Sequence, residues 1–87
     1  MMTSIRTTLG PKSSSELGLI LPHEHVFVDL RTWDTPGYAQ AETEAVIRLM
    51  APELERAKAA GVTAIVECST VGVGRRADID RAVSQAT

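Results

Sequence analysis

The stretch Ala57-Lys58-Ala59-Ala60-Gly61-Val62-Thr63-Ala64-Ile65-Val66-Glu67 (AKAAGVTAIVE) joins a helical pattern to a β-branched run through one glycine. Glycine tolerates the left-handed conformation that commonly ends helices, so Gly61 reads as a helix stop. Val62–Glu67 then reads as a strand. Working backwards, Val46, Leu49, Met50, Leu54 and Ala57 recur at spacings of three and four, which predicts a helix over residues 41–60. Glu42 and Glu44 near its start and Arg56 and Lys58 near its end suit the helix dipole. Pro52 is expected to kink this helix or to restart it as a second segment. Before it, residues 19–28 are apolar almost throughout, as a strand buried on both faces requires. Strand, long helix, strand is a βαβ unit with parallel strands.

The flanks extend this pattern. Residues 3–8 (TSIRTT) are β-prone and end at the turn residues Leu9-Gly10-Pro11. Ser13 and Glu16 have capping-box spacing, which predicts a short helical turn over residues 14–17. Pro22 cannot donate a ladder hydrogen bond, so it belongs near a strand end or edge. Residues 31–40 form a loop in which Thr35-Pro36-Gly37 fits a type II turn. Val71-Gly72-Val73-Gly74 reads as a flexible connection. Ile79, Ala82, Val83 and Ala86 mark a second amphipathic helix from about Ala77. Two parallel strands with two helices leave a sheet edge and an apolar face uncovered. The 87 residues therefore read as the start of a larger α/β protein.

Composition narrows the classes. Apolar residues make up 44%, which argues against disorder, but the only aromatics are Phe27, Trp33 and Tyr38, so the core is thin. Cys68 is alone, so no internal disulfide can form, and a reducing, cytoplasmic setting is expected. No basic-then-apolar leader or membrane-length apolar run is present. A net charge of −2 with scattered Lys and Arg gives no basis for nucleic-acid binding.

Both histidines lie in Leu19-Ile20-Leu21-Pro22-His23-Glu24-His25-Val26-Phe27-Val28-Asp29 (LILPHEHVFVD). On a strand, side chains alternate, so His23 and His25 share one face and Glu24 takes the other. Two imidazoles a strand repeat apart can reach one divalent metal, although a catalytic zinc usually has three protein ligands. They also fall at the carboxyl end of a strand, where parallel α/β proteins place their chemistry. The competing reading is two hydrogen-bonded histidines with no metal. Asp29 could be a third ligand, but an aspartate at a loop start more commonly caps backbone amides. Glu67 is as well read as a locally satisfied carboxylate, and Cys68 as a small buried hydrophobe.

These residues carry a resemblance. GLILPHEHVFVDL (residues 18–30), KAAGVTAIVECSTVGVGR (58–75), IRTTLGP (5–11) and SSSELG (13–18) together resemble the N-terminal quarter of the phosphotriesterase-like family of the amidohydrolase superfamily. The similarity runs colinearly through almost the whole chain. It implies an eight-stranded β/α (TIM-type) barrel, of which residues 1–87 would be one incomplete domain: a leading β segment and the first two β/α units. It also implies a two-metal centre, zinc being the first choice, in which His23 and His25 bind one metal. The reaction implied is hydrolysis of a lactone, carboxylic ester or phosphotriester by a metal-held hydroxide.

The family's remaining ligands would lie on later strands, so no catalytic residue is assignable in this chain, which is expected to be inactive alone. Two positions depart from the family pattern: Ile20 stands where threonine is usual, and Arg76 where an acidic residue usually follows Gly-Arg. The alternative function is a short non-catalytic protein that binds a metal or self-associates through its uncovered sheet. A cupin-type metal protein is disfavoured by the long helical pattern.

Overall fold

A computed structural model describes residues 3–87. The chain opens with an antiparallel hairpin, β1 (Ser4–Thr7) and β2 (Gly10–Ser13), in which Thr7 pairs with Gly10. The second strand was not expected, because Gly10-Pro11 looks like a turn. Gly10 instead starts β2 with φ 102°, and the reversal occupies Thr8 and Leu9. Thr7 Oγ1 closes it, donating to the Gly10 carbonyl at 2.7 Å and accepting the Leu9 N–H at 3.1 Å. The predicted capping box forms around a single 3₁₀ turn, Ser14–Glu16, with Glu16 Oε2 accepting the Ser13 N–H at 2.8 Å.

Strand β3 (Leu19–Glu24) pairs in parallel with β4 (Val62–Glu67), and helix α1 (Thr43–Ala59) connects them, as the βαβ reading required. Thr63 pins the start of this pair: its Oγ1 donates to the Leu19 carbonyl at 3.1 Å and accepts the Gly18 N–H at 2.7 Å. Strand β3 stops at Glu24 rather than running to Val28. The register is irregular between Leu21 and Glu24, where Pro22 lacks the N–H a regular ladder needs. Ladder contact resumes where the Cys68 N–H donates to the Glu24 carbonyl at 3.1 Å.

Helix α1 is continuous through Pro52, so the expected restart does not occur. Gly61, at φ 105°, ends the helical run as predicted, and its N–H donates to the Lys58 carbonyl at 3.0 Å. Helix α2 (Ala77–Ala86) packs against α1. Its Ile79 and Val83, one turn apart, are the fully buried apolar side chains among the described residues. Leu49, read as part of the inner stripe of α1, is 75% exposed.

The core is correspondingly one-sided. Leu19, Ile20 and Val66 of the parallel strands are exposed. An open concavity of about 1040 Å³ is lined by strand residues such as Ile20, Ala64 and Val66, by Leu54 of α1 and by Leu9 and Leu17 from the hairpin region. No helix among the described residues is long and apolar enough to cross a membrane.

Candidate metal centre

Strands β3 and β4 end in register, Glu24 opposite Glu67, so His25 and Cys68 each lie one residue past a carboxyl end. That register brings the His25 Nε2 within 3.7 Å of the Cys68 Sγ. The His23 and His25 rings meet edge to face with centroids 5.4 Å apart. Ligand atoms of His23, His25 and Cys68 all lie within 4.8 Å of one another, so the two sequence-predicted residues are brought together and a third donor joins them.

His25 is held from its other side. Its Nδ1 lies 2.8 Å from the Ser69 Oγ, and Ser69 is almost fully buried. The Ser69 hydroxyl also lies 3.4 Å from the Phe27 carbonyl, which it can reach as a donor. With Nδ1 engaged by Ser69, Nε2 is the ring nitrogen that faces Cys68. Glu67 Oε1 stands 4.0 Å from Nδ1 and accepts the Ser69 N–H at 2.6 Å, fixing the serine in turn. Sequence patterning offered no sign of Ser69, because its role depends on the register between two strands.

Asp29 caps the loop. It accepts hydrogen bonds from the backbone N–H groups of Arg31 at 3.0 Å and Ala39 at 2.9 Å, and pairs with the Arg31 guanidinium at 2.6 Å. The Arg31 side chain, with the Ala39 and Arg31 amides, holds the Asp29 carboxyl well below the usual carboxylate range despite its burial. The predicted type II turn beside it forms: Gly37 has φ 81° and the Tyr38 N–H donates to the Thr35 carbonyl at 2.9 Å.

The residues 71–74, read as a flexible connection, are an ordered 3₁₀ turn closed by left-handed Gly74. Tyr38 Oη donates to the Val71 carbonyl at 2.9 Å, and the Asp29 N–H donates to the Val73 carbonyl at 2.8 Å. Of the two departures from the family pattern, Arg76 finds its own partners. Arg76 forms a two-pronged pair with Asp78 and donates to the Ala39 carbonyl at 2.8 Å. Arg75 Nε donates to the Ser69 carbonyl at 2.9 Å.

Glu67 Oε2 and Asp80 Oδ1 are both buried without a hydrogen-bond partner among the described residues. Burial first, and then the neighbouring Glu67, push the Asp80 carboxyl up to about 7, so a proton held on Asp80 can bridge the pair. Burial works to raise Glu67 as well, but hydrogen bonds from Ser69 and Asp80 outweigh it and carry Glu67 down. Because folded Asp80 retains a proton that the unfolded side chain loses near 3.8, its contribution to stability falls as pH rises from about 4 to about 7. A carbon-detected NMR titration is expected to place the Asp80 midpoint about 7. A midpoint near 4 would show that no proton is shared.

A model described as the phosphotriesterase family matches residues 3–87. The phosphotriesterase homology protein of Mycobacterium tuberculosis is 36% identical over 77 residues, covering 85% of this chain and 23% of that protein. Among solved structures, a mutant of organophosphorus hydrolase from Deinococcus radiodurans superposes with a TM-score of 0.80 at 29% identity, over 97% of this chain and 26% of that one. A structure described as organophosphate hydrolysis activity engineered from a weak promiscuous lactonase template superposes with a TM-score of 0.81 at 28% identity, over 98% and 27% of the two chains. This chain thus spans about a quarter of the length of the proteins it matches.

Proposed function

Because the chain belongs to the phosphotriesterase family, we propose that it forms the first part of an eight-stranded β/α-barrel hydrolase and that His23 and His25 bind a divalent metal in its active site. The observation that carries this reading is the pair of imidazoles at the carboxyl end of β3, edge to face with each other, with His25 Nδ1 engaged by Ser69. The donors suit a borderline cation, zinc first, better than magnesium or calcium, which favour oxygen ligands.

Such an ion, when bound, polarises a carbonyl or phosphoryl oxygen and lowers the pKa of water. Of this chain's own residues, Ser69 and Glu67 orient His25, and Asp29 fixes the loop beside the site. The substrate class is a lactone, carboxylic ester or phosphotriester, in keeping with the lactonase and organophosphorus hydrolase relatives. The uncovered apolar side of β3 and β4 supports the barrel reading, since further strands and helices would bury it.

The test is a chimera in which residues 3–87 replace the matching quarter of an active relative. It is expected to hydrolyse a lactone or a paraoxon-type triester and to lose that activity with His23→Ala, while the 87-residue chain alone shows no turnover. A folded chimera that keeps its metal but turns over neither substrate would favour the non-catalytic alternative.

A further inference from the structure

We propose that Cys68 is a third protein ligand of the ion bound by His23 and His25, giving this chain a two-histidine, one-cysteine site for a zinc- or cobalt-type cation. The inference rests on the reading that the histidine pair binds metal, and adds to it a thiolate.

Three observations carry it. The Sγ to Nε2 separation is 3.7 Å. A tetrahedral zinc with its usual bonds to sulfur and nitrogen holds those two atoms about 3.5 Å apart, so almost no backbone movement is needed. Secondly, the sulfur lies 3.7 Å from both the Glu24 carbonyl oxygen and the His25 Nε2. A thiol proton given to the Glu24 carbonyl leaves the sulfur lone pairs free for a cation seated between Sγ and Nε2. Thirdly, the carboxylates that might compete are engaged elsewhere. Asp29 is taken up by Arg31 and Ala39, and Glu67 lies on the Nδ1 side of His25, away from the metal-facing nitrogen.

The cysteine is also held in place. Its backbone N–H is bound to the Glu24 carbonyl at 3.1 Å, so the β3–β4 register itself sets the sulfur beside the imidazole. On binding, the S–H bond breaks, a sulfur–metal bond forms and the proton leaves to solvent; nothing is oxidised or reduced. A soft thiolate added to two imidazoles shifts preference further from manganese and magnesium toward zinc and cobalt. It also gives this segment three ligands of its own, before any later strand contributes.

Cobalt(II) titration of the intact 87-residue chain tests this without reference to activity. The expected spectrum contains a thiolate-to-cobalt charge-transfer band in the near ultraviolet, which Cys68→Ser removes while visible cobalt bands persist on the histidines. On the unaltered chain, stoichiometric zinc is expected to slow alkylation of Cys68 by iodoacetamide by about tenfold or more, since a metal-bound thiolate is a blocked nucleophile. Cobalt bound without the near-ultraviolet band, together with unchanged alkylation, would overturn the cysteine ligand and leave the histidine pair standing. A folded chain that binds no cobalt at all would overturn both.

Discussion

His25→Ala is expected to weaken binding of zinc or cobalt at least about a hundredfold, the largest single effect in the molecule, because it removes a ligand and collapses its support. The imidazole is the centre of the cluster: Nε2 faces Cys68 at 3.7 Å, its ring edge meets His23, and Nδ1 is bound by Ser69 at 2.8 Å. With alanine there, the two remaining donors keep no preset geometry. Competition against a chromophoric chelator measures the loss, with far-ultraviolet circular dichroism as the check on folding. The companion change Ser69→Ala keeps every ligand but frees the ring, and its expected cost is about tenfold. Equal losses for the two variants would mean that Ser69 holds the fold rather than the imidazole. Unchanged affinity in His25→Ala would remove His25 from the site.

Gly74→Val is expected to destabilise the chain by about 3 kcal/mol or more, from two causes that act together. Gly74 has φ 85°, where a β-branched residue is strained. A Cβ there would lie 2.9 Å from both the Cβ and the backbone nitrogen of Asp29, and backbone atoms cannot swing aside as a flexible side chain can. Asp29 cannot yield easily, since its N–H is bound to Val73 and its carboxylate ties Arg31 and Ala39. Gly10→Val isolates the conformational part, because Gly10 has φ 102° but open space around it, and about 1–2 kcal/mol is expected there. Urea denaturation read by circular dichroism compares the two. Similar midpoints for both variants would show that the turn and Asp29 do not press on each other.

The loop also illustrates how far local patterns reach. Thr35-Pro36-Gly37 specifies its turn chemically, through proline's fixed φ and glycine's access to positive φ, and that turn forms. Residues 71–74 carry two glycines but no proline, and their local pattern reads as flexible. Their order comes from Tyr38 and Asp29, which approach from 33 and 44 residues away. Such partners leave no periodic trace around the glycines. Pro52 fails in the other direction: local rules predict a break, yet α1 runs through it. The helix that carries it packs on β4 and α2, contacts that a local rule for proline does not include. Leu49 shows the limit of periodicity as well, since it sits on the predicted stripe yet has no packing surface over it.

For the site, the spacing of His23 and His25 on an apolar strand was enough to nominate two metal donors, because alternation along a strand is a short-range geometric rule. The same spacing could not supply Cys68 or Ser69. A parallel strand partner is joined by a crossover of dozens of residues, and a shift of one position would turn the sulfur to the opposite face.

What the sequence by itself determined is the strand, helix, strand order, the helix stop at Gly61 and the histidine pair, all consequences of interactions within a few residues. What only the tertiary structure decided is the register in which Glu24 meets Glu67. That register sets Cys68 against His25 and Ser69 behind it, because hydrogen bonds between distant strands, unlike side-chain periodicity, leave no mark on either strand alone.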